Sequence, residues 1–179
     1  MILVIKNMTK SKIVKKHEKI KLILTDVDGV LTDGGRYYSP KGEVLKKFHT
    51  RDGMGVNVLL RNGIKTVIVT KENSPITNKW AKNMNVSFVY KGIQQKEKEL
   101  PKICSKFKVT PNQVAYIGDD VNDAKLLSSV GFSATPNDGI PTLKKTVDFV
   151  CKNNGGCGAF REFADYILNI NLGKEIKWY

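Results

Sequence analysis

A chain of 179 residues can bury one substantial core but is short for two, so a single domain is expected, and any site must come from that core or from a neighbouring copy. Hydrophobic residues at 41% and charged residues at 26% exclude a disordered chain, and no run approaches the roughly 20 apolar residues of a membrane span. A net charge of +13 would suit a nucleic-acid binder, but the lysines are scattered and lack interleaved aromatics for stacking bases, which argues against that partner.

In chain order, residues 1–19 read as a lysine-rich lead-in, residues 20–170 as the folded domain and residues 171–179 as a tail. The opening stretch from Met1 to Ile5 has neither the charged region nor the small-residue cleavage site of a secretory signal, so a cytoplasmic protein is expected. Apolar runs predict strands at 21–25, 66–69, 87–90 and 114–117, with weaker ones at 132–135 and 147–150. Helix patterns fall between them at 53–62, 74–84, 95–107 and 120–129, with a last helix at 159–169. Gly63 is a stop signal for the first helix, and Ser74 before Pro75 a start signal for the second. Strand and helix alternating in this way predict an α/β fold, a doubly wound parallel sheet with helices on both faces. One insertion breaks the rhythm: segments 36–38 and 44–48 flank a turn containing Pro40 and Gly42, which predicts a β-hairpin flap after the first strand. Cys104, Cys151 and Cys157 match no paired metal-ligand spacing and read as reduced, mostly structural thiols.

In open parallel sheets the ligand crevice lies at the carboxyl ends of the strands. Asp26 and Asp28 stand there after the first strand, two apart in extended chain and so on one side, with Gly29 permitting a tight turn. Thr70 ends the second strand, Lys96 follows the third, and Asp119, Asp120 and Asp123 follow the fourth. Carboxylates held this close repel unless a cation intervenes, and an oxygen-rich site that leaves room for water and phosphate suits Mg²⁺. Helix capping accounts for Asp120 or Asp123 without any ligand. It does not account for Asp26, a charge ending a buried apolar strand.

The ordered set of Asp26, Val27, Asp28 and Gly29, then Thr70, then Lys96, then Gly118, Asp119, Asp120, Val121, Asn122 and Asp123 resembles the haloacid dehalogenase superfamily of phosphatases, over residues 20 to about 170. The resemblance implies Asp26 as nucleophile, Asp28 as general acid and base, and Thr70 and Lys96 as phosphate holders. It further implies a magnesium site formed by Asp26, Asp28 (through its backbone carbonyl) and Asp119, with Asp123 and Asp120 ordering Lys96 and metal-bound water. No segment is long enough for a cap domain, and the motifs around residues 26–34, 52–55, 116–127 and 155–162 resemble the capless branch acting on phosphorylated sugar acids. That branch implies a homotetramer whose subunits help to form one another's sites, and makes Gly155, Gly156 and Arg161 candidate substrate contacts; a glycine-rich turn before a helix is the plainer reading of the same glycines.

After Thr70 the octulosonate phosphatases typically carry Gly then Arg, and the sialic-acid-type phosphatases Gly then Glu. Glu72 therefore directs the expectation to a nonulosonate 9-phosphate, with a 3-deoxy-D-manno-octulosonate 8-phosphate as the alternative, while Lys71 departs from both groups. Non-enzymatic alternatives are a phosphate-accepting receiver domain and a basic nucleic-acid module.

Overall fold

The computed structural model describes residues 18–179. The lysine-rich lead-in therefore lies outside the described residues apart from Glu18 and Lys19, both exposed. Ile20, the first buried residue, is held by Asn171, whose side chain accepts from the Ile20 N–H and donates to its carbonyl.

Six parallel strands form the sheet: β1 (Leu22–Thr25), β4 (Lys65–Val69), β5 (Phe88–Tyr90), β6 (Val114–Ile117), β7 (Phe132–Thr135) and β8 (Phe149–Val150), in the order β5-β4-β1-β6-β7-β8. Within β1, β4 and β6 the side chains alternate between two buried cores, as the two-residue period of a strand requires. Leu22, Leu24, Val67, Val69, Val114 and Tyr116 face one core, and Ile23, Ile68, Ala115 and Ile117 the other. The first core is closed by α3 (Leu100–Phe107) and α4 (Ala124–Leu127), the second chiefly by α1 (Thr50–Arg61) and α6 (Ala159–Leu172). Covered on both faces, the central strands can be apolar throughout. The doubly wound parallel sheet expected from the sequence is the one observed.

Differences from the sequence reading are local. The first helix starts at Thr50 rather than 53, because the His49 imidazole accepts the Arg51 N–H and caps it. Helix 74–84 runs as α2 (Pro75–Asn83), and Ser74 occupies its N-cap without a capping bond, since its hydroxyl donates to Glu43 instead. The stretch 95–107 divides into a 3₁₀ turn, Lys96–Glu99, and α3. The stretch 120–129 likewise divides into a 3₁₀ turn, Val121–Asp123, and α4, because Asp120 and Asp123 form a capping box. A short helix, α5 (Pro141–Lys144), is too brief to show periodicity in the sequence. The hairpin is present as β2 (Tyr37–Ser39) and β3 (Gly42–Leu45). It stops at Leu45 rather than 48; Phe48 instead bridges to Thr32 and stacks on Trp80 at 4.6 Å. Residues after 170 stay on the domain, with Asn62 bonded to Lys177 and Arg61 to the Trp178 carbonyl. No helix among the described residues is long and apolar enough to cross a membrane.

Candidate active site

From β1 the chain passes to β4 and β5 on one side and then returns to β6 on the other, so the strand order reverses at β1, and such reversals open a crevice at the carboxyl ends. Asp26 follows β1 and Asp119 follows β6, which pairs directly with β1. Asp26 is 5% exposed. Its N–H donates to the Ile117 carbonyl at 3.1 Å, fixing the backbone, while its Oδ1 accepts the Val27 N–H at 2.7 Å. Its Oδ2 lies 2.7 Å from Lys96 Nζ. The turn beyond it depends on Gly29, whose φ is +86° and where a Cβ would fall 2.0 Å from Asp119 Oδ2. Only glycine lets the two acidic segments approach so closely.

Lys96 is fully buried and divides its charge between Asp26 and Asp123, at 2.7 Å from each. Asp123 is saturated. Its Oδ1 receives Lys96 Nζ and the Tyr116 hydroxyl, and its Oδ2 the N–H groups of Asp119 and Asp120. Carboxylate oxygens of Asp26, Asp119 and Asp123 all lie within 4.8 Å of one another, a spacing that could hold a metal ion. With Asp123 occupied by four donors, Asp26 and Asp119 are the carboxylates of that group best able to bind one. Burial, then Asp26 and Asp123, push the Asp119 carboxyl up to about 8. Asp26 rises to about 6 because burial outweighs the attraction of Lys96. The pocket is thus short of positive charge, and a hard divalent cation beside oxygen ligands meets that shortage, which fits the expected Mg²⁺.

A cavity of about 300 Å³ opens over these groups and is lined by Asp26, Asp28, Thr70, Glu72, Asp119 and Asp120, joined by Arg36 and Lys71. Thr70 is held at its floor by an N–H bond to the Tyr90 carbonyl. Asp28 does not join the Asp26 and Asp119 oxygens; its carboxylate turns to Lys46 at 2.5 Å and Arg36 at 3.8 Å. Arg36 also pairs with Glu72 at 3.1 Å. Asp120 lies at the rim, capping Val121 rather than contacting Lys96.

Three candidates stand apart. Gly155 packs on the turn that follows Asp28, where a Cβ would fall 1.9 Å from the Gly29 carbonyl oxygen, and Gly156 donates its N–H to the Val30 carbonyl. Arg161 faces a separate cavity with Arg51 and Asp165, pairing with Asp165 at 2.8 Å. These three residues do not line the cavity over Asp26 in this chain, and the glycines serve close backbone packing. Conversely, the structure adds Tyr116, Lys46 and Arg36, which the sequence reading did not single out. A tyrosine in a buried strand reads as core, and one lysine among many carries no signal.

The matched family is haloacid dehalogenase-like hydrolase, over residues 63–161. The 3-deoxy-D-manno-octulosonate 8-phosphate phosphatase of Haemophilus influenzae is 38% identical over 154 residues, covering 86% of each chain. A cobalt-bound structure of the Haemophilus influenzae phosphatase superposes with a TM-score of 0.86, covering 90% of this chain and 94% of that one at 38% identity. The phosphatase of that name from Moraxella catarrhalis, in complex with a magnesium ion, a phosphate ion and a KDO molecule, superposes with a TM-score of 0.83 at 33% identity, covering 89% of this chain and 91% of its own. With an aspartate closing β1, a lysine beneath it and relatives matched along most of their length, the chain belongs to the haloacid dehalogenase-like hydrolases.

Proposed function

We propose that the chain is a magnesium-dependent phosphatase of sugar-acid phosphates, acting on 3-deoxy-D-manno-octulosonate 8-phosphate through an aspartyl-phosphate at Asp26. The observation that carries this is the position of Asp26, at the cavity floor between Lys96 and the Asp119 carboxylate. The octulosonate substrate is supported by relatives that bear that name at 38% and 35% identity over most of the chain. The nonulosonate expectation rested on Glu72 and on the likeness at residues 113–127 and 159–163, and nothing in these relatives supports it; Glu72 is engaged by Arg36 at the cavity mouth.

Asp26 and Asp119 would hold Mg²⁺, with the Asp28 carbonyl as further ligand; the ion supplies the charge neutralisation that lets an anionic carboxylate meet an anionic ester. Asp26 attacks phosphorus, and the phosphoryl group moves from the substrate oxygen to the carboxylate. Lys96, anchored by Asp123, and Thr70 at the floor hold the phosphoryl oxygens and take up part of their charge. Asp28 gives a proton to the departing alkoxide and later takes one from the water that cleaves the aspartyl-phosphate. Glu72 and Arg36 stand where the sugar would lie.

The open cavity suits completion by another copy in a homotetramer. The hairpin supports this reading, since Tyr38 and Leu45 are 64% and 62% exposed on it, and apolar exposure of that kind marks an interface. Three free cysteines support a reducing, cytoplasmic setting.

Phosphate release by the Mg²⁺-loaded protein, compared between the octulosonate 8-phosphate and a nonulosonate 9-phosphate, tests the proposal. A kcat/KM at least about tenfold higher for the first supports it, equivalent to about 1.4 kcal/mol of discrimination. Preference for the second would return the substrate to the Glu72 reading, and release from neither would overturn the function.

A further inference from the structure

Lys46 follows β3 at the foot of the hairpin, and its side chain is 0% exposed. A lysine withdrawn from water in this way costs several kcal/mol unless its charge is met. It is met twice, by Asp28 Oδ1 at 2.5 Å and by Glu43 Oε1 at 3.4 Å. Glu43 in turn accepts the Ser74 hydroxyl at 2.9 Å, and Ser74 opens α2. A chain of polar contacts therefore runs from the cavity through the hairpin to the helix that follows Thr70.

This arrangement makes the two oxygens of Asp28 unequal. Oδ1 is taken by Lys46. Oδ2 is buried and has no hydrogen-bond partner, with the Arg36 guanidinium at 3.8 Å as its nearest ion-pair contact. A buried carboxyl oxygen without a partner is rare and costly, and once it carries a proton it calls for an acceptor in the working state. Asp28 lines the cavity, so a substrate can supply that partner.

We propose that Lys46 is a positioning residue that, by holding Oδ1, presents Oδ2 of Asp28 to the leaving-group oxygen. The proposal rests on the phosphatase reading above. In the first step the Asp26 oxygen bonds to phosphorus, the phosphorus bond to the sugar oxygen breaks, and the proton on Asp28 Oδ2 passes to that oxygen. The proton is regained from the water that later hydrolyses the aspartyl-phosphate. A buried ion pair kept only for stability would be a weak device, since apolar replacements often serve as well.

The test is kcat/KM of the Mg²⁺-loaded protein on two esters, because that ratio reports the steps through phosphoryl transfer to Asp26, where Asp28 acts only as an acid. A phosphorylated sugar acid has a poor alkoxide leaving group that needs the proton, whereas p-nitrophenyl phosphate expels a phenolate that does not. In Lys46→Met and Lys46→Gln the sugar ester should lose roughly 10²-fold and the aryl ester no more than about threefold. Lys46→Arg, which keeps a cationic donor, should recover much of the sugar-ester activity. Equal losses on both esters, or no loss on either, in whichever variant is soluble, overturn the positioning role. A parent protein that cleaves neither ester removes the phosphatase reading, and that control separates the two failures.

Discussion

Tyr116 donates its hydroxyl to Asp123 Oδ1 at 2.5 Å, and both residues are fully buried beneath the cavity over Asp26. The same oxygen receives Lys96 at 2.7 Å, and Lys96 Nζ lies 3.3 Å from the tyrosine oxygen. A tyrosine, an aspartate and a lysine thus form one closed network below Asp26. Such a network costs little when every member is satisfied and much when one is left unpaired.

Tyr116→Phe removes one donor but leaves Asp123 its lysine and two backbone N–H groups. We expect a folded protein destabilised by about 1 to 2 kcal/mol, the scale of a lost buried hydrogen bond, measurable by denaturant unfolding. Activity should fall severalfold rather than vanish, because Lys96 keeps both of its carboxylate partners. Asp123→Ala should be far worse in both respects, since it strands Lys96 in the core with half its compensation.

Asp26→Asn should abolish steady turnover, because the amide cannot form the aspartyl-phosphate; its oxygen can still accept the Val27 N–H, so the chain should fold, at a cost in stability because Lys96 keeps only Asp123 as a carboxylate partner. Removing metal by chelation should stop phosphate release in the parent, and added Mg²⁺ should restore it. Added Mg²⁺ should also raise the melting temperature of the parent but not of Asp119→Asn, since a ligand binding only the folded state stabilises it. Differential scanning calorimetry with and without the ion checks both statements.

The fold and the carboxylate of Asp26 are legible for the same reason. Leu22 to Leu24 and Val114 to Ile117 are buried completely, so they appear as unbroken apolar runs, and a charge ending such a run stands out. Thr70, Lys96 and Asp119 become legible by their order after Asp26. The supporting groups do not. Lys46 lies between exposed Leu45 and Lys47 in a lysine-rich chain, and only the folded backbone shows that its side chain turns inward. Gly155 is a candidate substrate contact by resemblance and part of a glycine-rich turn by the plainer reading; its packing partner, the Gly29 carbonyl, is a tertiary contact that no local pattern encodes.

That contact makes a distinct expectation for Gly155→Ala. A Cβ there would collide with the Gly29 carbonyl and displace the turn that follows Asp28. Overpacking of this kind costs typically about 1 to 3 kcal/mol. Thermal unfolding should show the loss, and kcat should fall for every phosphate ester alike. A defect confined to the KM of sugar acids would instead mark Gly155 as a substrate contact.

Asp52 carries the pH prediction. It lies in the first turn of α1, fully buried, and its Oδ1 accepts the Arg161 N–H at 2.8 Å near the start of α6. Its Oδ2 is buried without a hydrogen-bond partner. Burial outweighs the attraction of backbone and basic neighbours and raises the carboxyl from 3.8 to about 6. Because the folded value lies above the unfolded one, its contribution to stability is complete below pH 3.8 and is lost as pH rises through 6. Asn at this position keeps an acceptor for Arg161 and cannot ionise. The stability of Asp52→Asn relative to the parent should therefore improve between pH 4 and pH 7, by at most about 3 kcal/mol at 1.36 kcal/mol per pH unit. Urea unfolding of the two proteins across that range checks the sign: a stability difference that stays flat, or grows in favour of the parent, means that the Asp52 carboxylate is ionised in the fold at low pH.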